Sequence, residues 1–331
     1  MRTAVFTGIG LHSGKSTRIK VIVSDVLQHG IVFELLNHGR ARVPARWNFV
    51  SSTNHCTTLR HDTIPTATVS TVEHLLAAMS MCNIQNALVE VEGPEIPILD
   101  GSSIEFIRGF RDNGMVGNRS LSSGSAGSAG SAGSAGSAGS ASSAGSSSSF
   151  IRVRKPVHQT LENGTMAWLL PHASVHDSCT EEVVYGGGAE SSFSPRLSLS
   201  VDVDFSTRKL ARRIVAGSLE DDDFIHQVAS ARTFTFKEDY DMLIKSGLAG
   251  GGSLDNAVLF HNGQPLNDHG LRHPYEYAWH KMLDCVGDLT LAGMPIHGHY
   301  HAVKPGHGLN VSMIQELMST DGNYDIVERI N

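Results

Sequence analysis

The sequence predicts an α+β fold made of two similar domains, each with two layers. The chain has 331 residues, of which 40% are hydrophobic, and this is enough for two ordinary cores. Short segments of alternating apolar and polar residues precede segments with helical periodicity. The order of strands, helix, strand and helix occurs twice along the chain. No residue-level repeat accompanies this order, so a duplication is inferred from the order alone.

A tract of serine, alanine and glycine separates the two occurrences. Residues 120–149 contain five consecutive Ser-Ala-Gly units and then a serine-rich run. Glycine recurs at every third position without any proline, which argues against a collagen triple helix, and such small residues cannot bury a core. We therefore predict an N-terminal domain at 1–118, a flexible linker at 119–149 and a C-terminal domain at 150–331.

The hydrophobic pattern of the first half predicts three strands and two helices. The strands cover 19–23, 31–35 and 87–92, and the helices cover 72–81 and 103–110. Ser70 suits the N-cap of the first helix, and Glu73 follows three residues later. This spacing is typical of a capping box.

The second half repeats the same kinds of segment. Strands are predicted at 151–153, 167–170, 197–205 and 296–303, and helices at 219–229 and 275–291. A segment rich in serine and glycine at 173–195 is predicted to be an exposed loop inserted in this half.

Composition excludes several classes of protein. The net charge of −7 argues against a generally basic nucleic-acid binder, and no apolar run reaches the ~18 residues of a membrane helix. The cysteines are scattered and form no CxxC pair: Cys56, Cys82, Cys179 and Cys285. Free thiols in a reducing compartment are therefore expected. The N-terminus lacks the apolar stretch of a signal peptide, so we expect a cytoplasmic protein.

Three polar residues share one face of the helix predicted at 275–291. His280, Asp284 and Asp288 are spaced i, i+4 and i+8. A histidine and a carboxylate at i, i+4 can hold one metal ion, and an ordinary polar pair on a solvated helix face is the alternative. The spacing alone favours the ordinary polar pair, whereas the neighbouring apolar residues, which bury much of this helix, argue against a solvated face.

Glu73 and His74 also allow two interpretations. In one, Glu73 belongs to the capping box and His74 is incidental. In the other, His74 is the third ligand of a zinc site that keeps a position open for water, and Glu73 is a general base beside it. Sequence spacing does not decide between them, because 206 positions separate His74 from His280.

Other histidines and one glycine-rich segment also raise the question of a functional role. His297, His299 and His301 alternate, so on a strand they face one side, and an exposed strand face is favoured over a metal site. His307 follows a glycine, in a loop position typical of functional residues. The glycine-rich segment 8–15 lacks the spacing of a phosphate-binding loop, which argues against nucleotide hydrolysis.

Several separate segments, in order, resemble one known family. In the first half they are GIGLHSG at 8–14, TVEHL at 71–75 and EIPILDGS at 95–102; in the second they are ARTF at 231–234, GGS at 251–253, HKMLD at 280–284, GDL at 287–289 and GH at 306–307. These resemble the zinc-dependent UDP-3-O-acyl-N-acetylglucosamine deacetylases, which perform the committed step of lipid A synthesis in Gram-negative bacteria. The resemblance covers the chain except the linker and the 173–195 loop.

The resemblance implies two α/β sandwich domains packed on each other, with the active site at their interface. It implies one Zn²⁺ per chain, with His74, His280 and Asp284 as ligands. An acetamide is a poor electrophile, and zinc in such sites polarises the carbonyl and lowers the pKa of its water toward about 7.

The resemblance also implies roles for the residues around the metal. Glu73 would be the base that deprotonates the water, and His307 would be the cation that stabilises charge and protonates the leaving amine. Asp288 would orient His307 and raise its pKa, and Thr233 would help to hold the oxyanion.

Substrate contacts are implied as well. Lys281 and Phe234 would contact the substrate, and an insertion at 237–257 would form the apolar passage for the acyl chain. The further residues expected at the substrate are Cys56, Asp239, Tyr240, Ala249, Gly252 and Ser253.

The expected partners are UDP-3-O-acyl-N-acetylglucosamine and water, with no nucleic acid. We expect a monomer with at most peripheral contact with the inner face of the cytoplasmic membrane. The sequence departs from the family at Trp279, where arginine is usual, and at Tyr275, where an acidic residue is common. A zinc amidase for another acylated amino sugar and a catalytically silent binder of a lipid or nucleotide sugar remain as alternatives.

Overall fold

A computed structural model describes residues 1–24, 29–116, 149–172 and 197–328. The predicted linker, apart from Ser149, lies outside the described residues, and so do the 173–195 loop and Cys179. No helix in the described part of the chain has the length and hydrophobicity needed to cross a membrane.

Six helices lie in the described residues. They are α1 (Glu73–Met81), α2 (Ile104–Asp112), α3 (Asp222–Ser230), α4 (Lys237–Lys245), α5 (Glu276–Leu289) and α6 (His307–Ser319). The predicted helices correspond to α1, α2, α3 and α5, whereas α4 and α6 were not predicted.

The strands of the first half are β1 (Arg2–Ile9), β2 (Ser16–Val23), β3 (Ile31–Leu35), β4 (Ala41–Pro44), β5 (Val50–Ser52), β6 (Thr58–Arg60), β7 (Thr68–Val69) and β8 (Ala87–Glu92). Those of the second half are β9 (Ser149–Val153), β10 (Val157–Thr160), β11 (Met166–Leu170), β12 (Ser198–Val203), β13 (Arg213–Ser218), β14 (Phe234–Phe236), β15 (Val258–His261), β16 (Gln264–Pro265), β17 (Ile296–His297), β18 (His299–Val303) and β19 (Tyr324–Glu328).

Each half contains a five-stranded sheet with the same topology. The strand orders are β1-β2-β8-β3-β4 and β10-β11-β18-β12-β13. In each sheet the strand that comes last in the sequence lies in the centre: β8 between β2 and β3, and β18 between β11 and β12. This central strand is antiparallel to one neighbour and parallel to the other. The two halves are therefore similar α/β units, as the order of predicted elements indicated.

The same comparison makes α1 and α5 equivalent helices. Each is the last α-helix before the central strand of its sheet, although β17 lies between α5 and β18, and α2 and α6 follow the central strands. α1 and α5 pack against each other, and both are almost entirely buried. A Cβ atom on Gly287 would lie 2.1 Å from the backbone oxygen of Glu73, so this crossing requires glycine.

Three sequence predictions are wrong in detail. Ser70 does not cap α1, because Val72 holds the N-cap position and the Ser70 hydroxyl accepts a hydrogen bond from Thr58 instead. Helix α3 begins at Asp222, not at 219, because the Asp221 side chain caps it by accepting from two backbone N–H groups. The strand predicted at 296–303 is two strands in different sheets, divided at Gly298.

Candidate functional site

His74, His280 and Asp284 meet where α1 crosses α5. One ligand atom from each residue lies within 4.8 Å of the others. Asp284 Oδ1 is 3.4 Å from His280 Nε2 and 4.0 Å from His74 Nε2, and all three residues are buried. Among the described residues this is the cluster of histidine, cysteine and carboxylate side chains that could hold a metal ion.

The surroundings of the two imidazoles suit a metal ligand. His280 Nδ1 bonds to the backbone oxygen of Ala231, which turns Nε2 toward Asp284. The Nδ1 atom of His74 is buried and has no hydrogen-bond partner among the described residues. Burial, reinforced by His280, lowers the pKa of His74 to about 3, and burial also lowers the pKa of His280. Both rings are therefore neutral near pH 7, the form that binds metals.

Glu73 and His307 face each other beside this cluster. Glu73 Oε1 lies 3.8 Å from His307 Nε2. Burial raises the pKa of Glu73 to about 8, against the opposing effect of His307. Burial would lower the pKa of His307, but the neighbouring carboxylates of Asp288 and Glu73 raise it to about 9. A carboxyl group and an imidazole that both have raised pKa values thus lie side by side.

Asp288 links His307 to Thr57 and Asn310 through hydrogen bonds. Its Oδ2 lies 2.8 Å from His307 Nδ1 and accepts a second hydrogen bond from Asn310 Nδ2, also at 2.8 Å. Its Oδ1 accepts a hydrogen bond from the Thr57 hydroxyl at 2.6 Å. The Asn310 oxygen in turn accepts from the Tyr300 hydroxyl. Asp288 is thus fully buried with both oxygens hydrogen-bonded.

His307 begins helix α6, with Gly306 at the N-cap, so the predicted loop position is wrong. Asn310 lies one helical turn after His307, and both side chains reach Asp288. The sequence analysis missed Thr57 and Asn310. The HxxN spacing would have suggested Asn310 had α6 been predicted, whereas Thr57 has no distinguishing pattern.

Lys281 points at the cluster rather than away from it. Its Nζ atom donates to Asp284 Oδ2 at 2.9 Å, leaving Oδ1 to face the two histidines. Burial would lower the pKa of Lys281, but the Asp284 carboxylate raises it above its usual value. Burial would raise the pKa of Asp284, but the nearby Lys281 and His280 hold it well below its usual range.

Thr233 and Phe234 lie on the His280 side of the cluster. The Phe234 ring meets the His280 ring edge-on, with centroids 6.1 Å apart. Phe234 also belongs to an aromatic cluster with Phe205, Phe236, Phe260 and Tyr277. The backbone N–H of Thr233 donates to Gly101 of the first half, so this segment is tied across the interface.

The insertion residues form a more exposed group. Asp239 accepts hydrogen bonds from Arg208 at 2.8 and 3.2 Å. Tyr240 lies close to Gly252, whose backbone N–H donates to the Ala249 oxygen. The Ser253 hydroxyl accepts from the backbone of Asp255. None of these contacts involves the metal-ligand cluster directly.

Cys56 lies near Glu73. Burial, followed by the nearby Glu73 carboxylate, raises the pKa of Cys56 to about 11, so its thiol is neutral. Among the described residues, Cys56, Cys82 and Cys285 are not in disulfides.

The glycine-rich segment at 8–15 packs against the one at 250–252. Backbone N–H groups of Gly250 and Gly251 donate to the oxygens of His12 and Leu11. A Cβ atom on Gly251 would lie 2.2 Å from the oxygen of Gly10. These glycines therefore permit a close approach of two backbones from different halves.

Glu95 anchors this segment beside α1. Its carboxylate accepts from the backbone N–H groups of His12 and Ser13 and from the Thr71 hydroxyl. Both ring nitrogens of His12 are buried and have no hydrogen-bond partners among the described residues. Burial lowers the pKa of His12, and the nearby His55 and His307 lower it further. His12 therefore faces the site. The sequence analysis cited His12 only as part of a motif.

The alternating histidines lie away from this site. His297 is in β17, where its ring stacks on Phe150 with centroids 3.7 Å apart. His299 and His301 share one face of β18, are half-buried and bond to Ser200. The expectation of one exposed strand face is therefore wrong, because Gly298 divides the trio between two sheets.

Comparisons with known proteins agree with this geometry. The family model described as "LpxC: UDP-3-O-acyl N-acetylglycosamine deacetylase" matches residues 1–124 and 135–319. A UDP-3-O-acyl-N-acetylglucosamine deacetylase of Legionella pneumophila (strain Corby) is 32% identical over 313 residues, covering 94% of this chain and 86% of the relative.

Two further relatives carry the same name. One from Actinobacillus pleuropneumoniae serotype 3 (strain JL03) is 33% identical over 324 residues, covering 97% of this chain and 89% of the relative. One from Geobacter sp. (strain M21) is 32% identical over 327 residues, covering 98% and 90%. With a family match along most of its length and relatives of this similarity, the chain belongs to the LpxC family of UDP-3-O-acyl N-acetylglycosamine deacetylases.

Proposed function

We propose that this protein hydrolyses the N-acetyl group of UDP-3-O-acyl-N-acetylglucosamine, giving acetate and the free amine, with one Zn²⁺ per chain. The observation that carries the proposal is the placement of a metal-binding triad beside a paired carboxyl group and imidazole. An amide hydrolase needs an electrophile, a base and an acid at one point; the triad would hold the metal ion that serves as the electrophile, and Glu73 and His307 would serve as base and acid.

His74, His280 and Asp284 would hold the zinc ion, since two neutral imidazoles and one carboxylate form a common three-ligand zinc set. The chemistry that zinc supplies in such sites is polarisation of the acetamide carbonyl and acidification of the attacking water. Lys281 keeps the Asp284 carboxylate ionised and oriented by its hydrogen bond to Oδ2.

Glu73 and His307 would move the protons. The water oxygen forms a bond to the carbonyl carbon while Glu73 accepts a proton from the water. The C–N bond then breaks, and the departing nitrogen takes a proton from His307, which Asp288 keeps in its cationic form. One water is consumed, the products are the amine and acetic acid, which ionises to acetate, and the proton taken up by Glu73 returns to His307.

The remaining assignments concern the substrate. We propose that Thr233 helps to hold the oxyanion and that Lys281 and Phe234 contact the sugar side, since these residues flank His280. The group of residues at the insertion 237–257 and the buried Cys56 are proposed to line the acyl passage. Residues 1–118 and 150–331 would act as two domains joined by the 119–149 linker, in a monomer.

Acetate release tests the proposed function. Purified zinc-loaded protein is incubated with UDP-3-O-acyl-N-acetylglucosamine, and acetate and metal content are measured. We expect turnover by the wild-type chain and a loss of about 10² to 10⁴-fold in Glu73→Gln at unchanged zinc content. Stoichiometric zinc without acetate release by the wild type would refute the proposal and favour a silent binder. Turnover restricted to a different acylated amino sugar would favour the other alternative.

A further inference from the structure

Thr57 contacts both carboxylates that flank the proposed reaction centre. Its backbone N–H donates to Glu73 Oε2 at 3.1 Å, and its hydroxyl donates to Asp288 Oδ1 at 2.6 Å. Glu73 lies on α1 of the first half and Asp288 on α5 of the second. Thr57 is completely buried, so water does not substitute for either hydrogen bond.

The hydrogen bonds of Asp288 show why the hydroxyl matters. Oδ2 is shared by His307 and Asn310, both from α6, whereas Oδ1 accepts from Thr57. Two anchored oxygens leave the carboxylate one orientation. Without the Thr57 hydroxyl, Oδ1 would be a buried acceptor lacking this partner, which favours rotation or displacement of the carboxylate. The His307 ring, held through Nδ1, would follow.

We propose that the Thr57 hydroxyl is a positioning group that fixes Asp288 and thereby aims His307 Nε2 at the reaction centre. The inference rests on the proposed function, in which His307 protonates the leaving amine. Thr57 belongs to the first half, which also carries the base Glu73. Its hydroxyl contacts Asp288 of the second half, which holds the acid His307. Its backbone N–H holds Glu73 independently of its side chain.

Three variants test the hydroxyl. Thr57→Val has a similar shape without the hydroxyl, and Thr57→Ser retains it. Thr290→Val is the matched control, because the Thr290 hydroxyl donates to a backbone oxygen on the same helix as Asp288 and touches neither carboxylate. We expect Thr57→Val to lower kcat about tenfold or more, with KM and zinc content within about twofold of wild type. Thr57→Ser should restore kcat to within about threefold of wild type, and Thr290→Val should leave it unchanged.

A double-mutant cycle separates positioning from packing. If Thr57 acts through Asp288, Thr57→Val should cost less than about threefold in kcat when Asp288 is already alanine. An equal cost in both backgrounds would overturn the proposal. So would an unchanged kcat in Thr57→Val, or a loss that only follows lost zinc or lost folded protein.

A spectroscopic readout keeps this test separate from the proposed function. The His307 Nδ1 proton, in its hydrogen bond to Asp288, should give a low-field proton resonance, identified by its absence in His307→Gln. We expect Thr57→Ser to retain this resonance and Thr57→Val to shift or broaden it. An unchanged resonance in Thr57→Val would overturn the positioning role even in a protein that releases no acetate, whereas missing wild-type turnover alone refutes the proposed function.

Discussion

The two sides of the site are built differently. The metal side, where we propose that zinc binds, consists of one residue from α1 and an i, i+4 pair from α5, so two crossing helices suffice to assemble it. The acid–base side draws Glu73 from α1, Asp288 from α5, His307 from α6 and Thr57 from the segment before β6. The metal side therefore depends on one helix crossing, whereas the acid–base side depends on several elements meeting.

This contrast predicts different failures. Damage on the metal side should remove the ion and all chemistry that depends on it. Damage on the acid–base side should leave the ion bound and change the rate or its dependence on pH. Each of the following changes tests this separation, beginning with the largest expected effect.

Asp284→Ala should abolish both metal binding and activity. The change leaves two imidazoles, which rarely suffice for a catalytic zinc site. We expect zinc content to fall at least about tenfold after dialysis, with acetate release at background. Metal analysis against His301→Ala, a histidine away from the cluster, provides the control. Full zinc content in Asp284→Ala would remove Asp284 from the ligand set.

His307→Ala should keep zinc and lose rate. No ligand is removed, but the proton donor beside Glu73 is absent, so kcat should fall about 10² to 10⁴-fold. Zinc content and kcat measured on the same preparation separate the two effects. If zinc is lost together with activity, the metal and acid–base sides are not independent and the comparison fails.

Asp288→Asn should change the pH profile more than the metal content. In the proposed mechanism activity requires ionised Glu73 and protonated His307, so the rate should rise through the pKa of Glu73 and fall through that of His307, which is raised to about 9. Removing the Asp288 charge lets burial lower the pKa of His307. The alkaline limb should therefore move to lower pH by about one unit or more, with a smaller loss of maximal rate. An alkaline limb at the wild-type pH would show that Asp288 does not control His307.

Removal of residues 125–134 should have the smallest effect. These residues fall outside the match to the family model and contain only serine, alanine and glycine. We expect acetate release and zinc content within about twofold of wild type, since a tract of small residues without a hydrophobic pattern is proposed to act only as a linker. A large loss of activity would contradict the proposed role of this tract as a linker.

Sequence spacing indicated the His280 and Asp284 pair but not the partners of the acid–base side, for a physical reason. An i, i+4 pair on one helix is visible as a spacing, and α5 was recognised from its hydrophobic periodicity. The contacts of Thr57 with Glu73 and Asp288 span 16 and 231 positions, and no local pattern encodes them. Resemblance to a family named Glu73, Asp288 and His307, but it did not name the threonine between them.

The fold shows a similar division. The central strands and α1, α2, α3 and α5 follow from periodicity, and their order indicated two similar halves. Helix α6 was not recognised, and the helical position of His307 was missed with it. Glycines at close backbone approaches, such as Gly251 and Gly287, became interpretable only when the partner backbone was known.

The position of the metal tests the central claim most directly. Crystals of the zinc-loaded chain, measured at the zinc absorption edge, would locate the ion by its anomalous signal. We predict one site per chain, with His74, His280 and Asp284 all within about 2.0–2.2 Å of the ion. A zinc site that omits any of the three residues, or one formed by residues of a single half, would contradict the account.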